Sequence, residues 1–303
     1  MQTRAQPAPA TVQAPIRARP QQTRLDVTEL AQALAYYRDG NSKKASSSCW
    51  RVIAPTLSQG GKIKKKPGKD EQAYIYFVLA QAFFTERDYE SAKGAVSRSI
   101  ALVKNNVQAH VLLARALERL DEMDASLDAA RKAIFMAPGV LAGYEALAQT
   151  LLETGFAQDA LTVSDDAIAA MPNAAPAHAF KARILRHLCR DDDALASYAR
   201  VQELTPSIPA EIACAMGHIH HDRGAMDEAL EYYTQALASR PQMLDAWHGR
   251  INTLYTAGRR EEAVTMYKQA IQTVPGYQRK YFDFLHPLFT EPLPGHDALR
   301  AMP

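Results

Sequence analysis

An all-α solenoid of stacked helical hairpins is the fold class this sequence predicts, and three observations predict it. Prolines stand at 138, 172, 206, 241 and 275, separated by 34, 34, 35 and 34 residues. Small residues keep an independent register, Ala92, Ser126, Ala160, Ala194, Ala229 and Ala263, at separations of 34, 34, 34, 35 and 34, with the one inserted residue in the same interval. After residue 70, Ala, Leu, Glu and Arg abound while Val, Ile and Thr rarely cluster, which favours helix over strand. A sustained period of this length means one structural unit repeated in tandem.

The residue types say what that unit is. Two antiparallel helices approach to about 8 Å only where a side chain is small, and the Ala92 to Ala263 series supplies such a crossing once per unit. Gly155, Gly224 and Gly258 suit the tight turn inside a hairpin. Each Pro stands just past a helix that it cannot continue. Tyr198, Tyr233 and Tyr267 fall where an aromatic ring reaches from one hairpin to the next. A lone hairpin cannot cover its apolar face, so neighbouring units bury one another and the array grows along one dimension.

Where the two registers coincide, the sequence resembles the tetratricopeptide repeat family. The sixth unit carries Trp247, Leu254, Gly258, Ala263, Tyr267, Ala270 and Pro275 at the family's positions. The third carries Tyr144, Leu147, Ala148, Leu151, Gly155, Ala160, Ala167 and Pro172, and the fifth Gly217, Gly224, Ala229, Tyr233, Ala236 and Pro241. On this resemblance six repeats are expected over 71–277, as 73–106, 107–140, 141–174, 175–209, 210–243 and 244–277. Three departures stand out: Lys104 in place of proline, Ser99 in place of alanine and Arg250 in place of the usual leucine. The expected whole is an α-α superhelix with a degenerate helical hairpin before it and a capping helix after it.

The flanks differ in composition. Residues 1–24, rich in Pro, Gln, Ala and Arg without an apolar period, read as a disordered basic leader. Leu30, Leu34, Tyr37, Ala45, Val52 and Ile53 fit a degenerate hairpin over 25–57, and SQGGKIKKKPGKD over 58–70 reads as an exposed Lys-rich loop. Residues 278–303 open with Tyr281, Phe282, Phe284, Leu285, Leu288 and Phe289, an apolar set expected to cap the last hairpin or to support self-association. Residues 1–70 hold thirteen Lys and Arg against four Asp and Glu, a net +9, which leaves −7 for the rest. A basic arm of this kind attracts anionic partners in general and does not argue for specific nucleic-acid binding.

Cys49, Cys189 and Cys214 lie far apart without a CxxC pair, which argues against a disulfide framework or zinc site and for a reducing, cytoplasmic setting. No segment approaches 18 consecutive apolar residues. Catalytic signatures are absent: no GxSxG, phosphate-binding loop, dinucleotide fingerprint or HExxH. HIHHD, with His218, His220, His221 and Asp222, invites a metal reading; His220 at a core position and the commonness of groove histidines argue against it. The sequence therefore implies neither a cofactor nor an enzyme.

The resemblance implies a binding surface along the first helix of each unit, on the concave side. Carried over residue by residue, it comprises Tyr74, Phe77, Gln81 and Phe84; then Gln108, Arg115, Glu118 and Arg119; then Glu145, Gln149 and Leu152. It continues through Arg183, Arg186 and His187, then His218, His221 and Asp222, and closes with Asp245, His248, Asn252 and Tyr255. An aromatic entrance, an arginine-rich middle and a histidine-bearing end suit a partner protein or an extended peptide with apolar and acidic side chains. The carboxylate clamp that some family members use for chaperone tails is not matched, since Phe77, Gln81, Leu112, Ala142 and Ala146 occupy its places. The implied role is a scaffold or adaptor. Two further readings stay open: a recruiting module for a glycosyltransferase or sulfotransferase, and a secretion or assembly chaperone.

Overall fold

A computed structural model describes residues 68–275, with positions 43, 44 and 47. The leader, the degenerate hairpin apart from positions 43, 44 and 47, most of the Lys-rich loop and the C-terminal cap expected from the sequence lie outside the described residues. Lys69 and Asp70, the end of that expected loop, already belong to a helix. The described residues form helices and no strand, and the chain divides into two compact units, residues 1–104 and 105–303.

Among the described residues the first unit contains one hairpin, α1 (Lys69–Thr85) and α2 (Tyr89–Leu102). Ala73, Ile75, Val78, Leu79 and Ala82 of α1 are buried with Ala92, Ala95 and Val96 of α2. Asp88 starts α2 by accepting a hydrogen bond from the Ser91 backbone N–H at 3.1 Å, which satisfies one of the open donors of the first turn. Ser99, one of the departures from the repeat pattern, is fully buried, and its hydroxyl donates to the Ala73 carbonyl at 2.7 Å. A polar atom in that core is tolerated because it is hydrogen-bonded.

Among the described residues the second unit contains five hairpins. They pair α3 (Val107–Arg119) with α4 (Met123–Met136), α5 (Leu141–Glu153) with α6 (Ala157–Ala170), and α7 (Ala175–His187) with α8 (Asp191–Leu204). They continue with α9 (Ala210–Asp222) and α10 (Met226–Ser239), then α11 (Leu244–Thr256) and α12 (Arg260–Thr273). Each second helix packs on the first helix of the following hairpin. Pro138, Pro172, Pro206 and Pro241 each follow the last residue of a second helix by two positions.

The small residues stand where a crossing requires them. Ser126, Ala160, Ala194, Ala229 and Ala263 are each the fourth residue of their helix and each fully buried. Ser126 shows what that position touches. Its hydroxyl lies 2.8 Å from the Ala114 carbonyl on the first helix of its own hairpin and 2.8 Å from Thr150 Oγ1 on the first helix of the next.

The turn inside each hairpin is also periodic. Left-handed backbone occurs at Arg87, Asp121, Gly155, Cys189, Gly224 and Gly258, one residue per hairpin. The residue that follows closes each first helix with a 6→1 hydrogen bond, as from Glu122 N–H to the Leu117 carbonyl and from Arg190 N–H to the Leu185 carbonyl, both 2.9 Å. Three of these six residues are not glycine, so this turn outweighs the roughly 1–2 kcal/mol that an L side chain loses in the left-handed region.

The hydrophobic core of the second unit runs in two stretches that meet on α9. Ile212, Met216 and Ile219 face the stretch that starts at Val111, whereas Ala210, Ala213 and Cys214 face the stretch that ends at Val274. One helix buried on both faces thus joins the earlier hairpins to the later ones.

Candidate functional site

First helices in the second unit lie side by side in chain order, α3 against α5, α5 against α7, and α9 against α11. Their outer residues form the surface singled out above. In the first unit, Tyr74 is exposed on α1, and Phe77, Gln81 and Phe84 are half-buried on the same helix. Phe84 meets Tyr89 edge to face at 5.3 Å, so that part of the aromatic entrance is already packed.

On α3, Gln108, Arg115 and Arg119 are exposed, and Glu118 is half-buried with its side chain 8% exposed. Burial raises the Glu118 carboxyl above its ordinary 4.5, and nearby Arg119 and Arg115 oppose that shift. On α5, Glu145 and Leu152 are half-buried, and exposed Gln149 donates to Glu153 at 2.7 Å. Arg183 of α7 reaches across to Glu145, Nη2 to Oε1 at 2.6 Å, and lies over the Phe180 ring. The arginine-rich middle is therefore partly neutralised from within. A pairing across 38 positions has no local sequence signature.

Arg186 is half-buried, while His187 is exposed. On α9, His218 is tied down on both ring nitrogens, with Nδ1 2.8 Å from the Tyr233 hydroxyl and Nε2 3.5 Å from Cys214 Sγ. His221 bridges to α11, with Nδ1 2.9 Å from Thr253 Oγ1 and Nε2 3.3 Å from the Asn252 side-chain nitrogen. His220 stacks on Tyr232 at 5.2 Å. Asp222 and Asp245 are exposed at this end, His248 is half-buried and Tyr255 is exposed. The histidines join helices to one another, and among the described residues no group of three or more His, Cys, Asp or Glu could hold a metal ion. Burial pushes the Cys214 thiol up to about 11, so it stays protonated and packs as a small apolar group.

Sequence reasoning missed the Tyr233–His218 pair, although both residues carried a signal. Tyr233 is fully buried between two glycines, Gly217 on α9 and Gly249 on α11, so its hydroxyl needs a partner inside the stack. Burial lowers the His218 pKa from its ordinary 6.5, reinforced by Arg186 and opposed by Asp222 and Asp245. With the folded pKa below the unfolded one, the unfolded chain binds the extra proton, so this contribution is whole above pH 6.5 and is lost as pH falls below it. Thermal melts from about pH 7.5 to about pH 5 should show a decline that His218→Gln flattens. An unchanged slope in the variant would remove His218 as the cause.

Family models described as tetratricopeptide repeat match residues 145–209 and 220–282. A model described as anaphase-promoting complex, cyclosome, subunit 3 matches residues 57–133. A comparison with curated proteins gives no match. Among solved structures, a thermophilic tetratricopeptide repeat protein of Thermus thermophilus is similar at 24% identity and TM-score 0.50, over 60% of this chain and 99% of that one. Pseudomonas aeruginosa pilF is similar at 16% identity and TM-score 0.53, over 73% of this chain and 100% of that one. Cut9 with Hcn1, an assembly of the anaphase-promoting complex, is similar at 13% identity and TM-score 0.56, over 88% of this chain and 49% of that one. At these identities the likeness is one of fold.

Proposed function

The chain belongs to the tetratricopeptide repeat family, and from that premise we propose that it is a non-catalytic scaffold or adaptor that binds a partner protein or extended peptide along the first helices of its hairpins. The observation that carries this reading is the run of polar and aromatic side chains on α3, α5, α7, α9 and α11, cross-linked from hairpin to hairpin. Glu145 with Arg183 joins α5 to α7, and His221 with Thr253 joins α9 to α11. A surface pre-ordered in this way loses little side-chain entropy when a partner arrives. Its mixed charge favours a partner that brings both signs, with carboxylates toward Arg115, Arg119 and Arg186 and donors toward Asp222 and Asp245.

A reducing, cytoplasmic setting accompanies this reading, supported by the free thiols of exposed Cys189 and buried Cys214. No helix among the described residues is long and apolar enough to cross a membrane. Self-association through the aromatic segment after Pro275 stays part of the proposal.

Affinity purification of the full chain with mass spectrometry, repeated with Arg115, Arg183 and Arg186 all changed to Glu, tests the surface. Recovery of the main partner should fall about tenfold or more, since three charge reversals at an interface each cost several kcal/mol, while the helical circular dichroism is kept. Undiminished recovery would move the binding site off the first helices. A partner that proves to be a glycosyltransferase or sulfotransferase whose activity requires this chain would favour the recruiting reading.

A further inference from the structure

Arg250, the departure from leucine in the last repeat, has a counterpart in Lys181, 69 positions earlier. Lys181 on α7 is neutralised by Asp165 of the preceding second helix, Nζ to Oδ1 at 2.7 Å. The corresponding place in front of Arg250 is Thr234, which carries no charge. Arg250 is half-buried, and its Nε is buried without a hydrogen-bond partner. Burial lowers the pKa of this guanidinium, opposed by the nearby Glu262 carboxylate and reinforced by Arg259.

Arg250 lines a cleft of about 880 Å³ formed by α10, α11 and α12, and none of its lining residues belongs to the first-helix surface described above. That volume lies within the roughly 300–1,000 Å³ of ordinary ligand sites. Leu230, Leu254 and Met266 supply apolar wall. Four carboxylates also line it, Asp227, Glu231, Glu261 and Glu262. Arg259 pairs with two of them, Asp227 at 3.3 Å and Glu262 at 2.7 Å, which leaves Glu231 and Glu261 uncommitted.

We propose that this cleft is a second docking site, taking an extended peptide segment of a partner whose Lys or Arg side chains pair with Glu231 and Glu261 and whose backbone carbonyl accepts from the Arg250 guanidinium. Charge decides the class of occupant. Four carboxylates against two guanidinium groups attract cations, and a free anion aimed at Arg250 would have to approach through that acidic lining. Arg250 Nε is enclosed by protein, so a neutral carbonyl accepts instead from the part of the guanidinium that lines the cleft, without that repulsion. The apolar wall adds burial for an aliphatic side chain between two basic ones.

The test is fluorescence anisotropy of the full chain with the labelled peptide KLKSKLK and its acidic counterpart ELESELE at low salt. The basic peptide should bind, and Glu231→Gln combined with Glu261→Gln should weaken it by roughly fivefold or more. Arg250→Leu should weaken it by roughly threefold or more without lowering the melting temperature. The Arg115, Arg183 and Arg186 to Glu variant should bind the peptide as tightly as the unmodified chain, which separates this site from the first-helix surface. No binding of the basic peptide at millimolar concentration overturns the proposal, as does a Glu231 and Glu261 double variant that binds normally. Tighter binding of ELESELE, lost in Arg250→Leu, overturns it in favour of an acidic partner.

Discussion

Ala160→Glu is expected to lower the melting temperature of the full chain by roughly 10 °C or more and to split one transition into two. Ala160 is fully buried at the fourth residue of α6. Its counterpart one period earlier, Ser126, contacts both the first helix of its own hairpin and that of the next. By that equivalence, Ala160 faces Ala148 of α5 and Ile184 of α7, both buried. A glutamate there overpacks both contacts, costing about 1–3 kcal/mol, and removes a carboxylate from water without a partner, costing several more. Each kcal/mol moves the midpoint of a domain this size by about 2–4 °C.

Because each hairpin depends on its neighbours, that loss is local before it is global. The hairpins beside α6 should unfold first and the remainder later, so the two-state description fails. Far-ultraviolet circular dichroism measures both effects. Gln158→Glu, two residues away and exposed, is the control and should melt like the unmodified chain. An Ala160→Glu melt that overlays that control would show that the small residue is not needed at the crossing.

How much of this was legible in the sequence follows from which forces repeat. Ala160, Ser126 and the prolines obey a spacing because every hairpin makes the same crossing and the same exit, so the architecture could be read from 34-residue arithmetic. The hairpin turn was half legible. Gly155, Gly224 and Gly258 announce a left-handed residue, whereas Arg87, Asp121 and Cys189 adopt it with no cue of their own. Counting 34 back from Gly155, and forward from it, would have found them. Which face of each first helix looks outward follows from the same register, but what its side chains do to one another does not. Glu145 with Arg183 and His218 with Tyr233 depend on rotamers and on residues from different helices. Arg250 stood out in the sequence as an oddity, but the cleft beside it arises only when α10, α11 and α12 are assembled.

Tyr233 gives the sharpest case of packing across three helices, and Gly249→Ala is expected to expose it. A methyl group at Gly249 would lie 2.5 Å from two ring carbons of Tyr233, closer than real contacts allow. The ring has little room to retreat, because on its other side the backbone of Gly217 leaves only 2.8 Å for an added methyl, and the residue is fully buried. Alanine should help the helix itself by about 1 kcal/mol, so a net loss of roughly 1–2 kcal/mol means that overpacking outweighs propensity. Gly94→Ala separates the two terms: that site is exposed in α2 with nothing within 4 Å of an added methyl, and it should gain about 0.5–1 kcal/mol. A double-mutant cycle assigns the clash. In a Tyr233→Leu background, which is itself destabilised by the lost ring and its hydrogen bond to His218, Gly249→Ala should change sign and become stabilising. Urea denaturation of the four species measures this, and if Gly249→Ala costs the same in both backgrounds, the obstacle is not the ring and the wedge between α9 and α11 is not what sets their spacing.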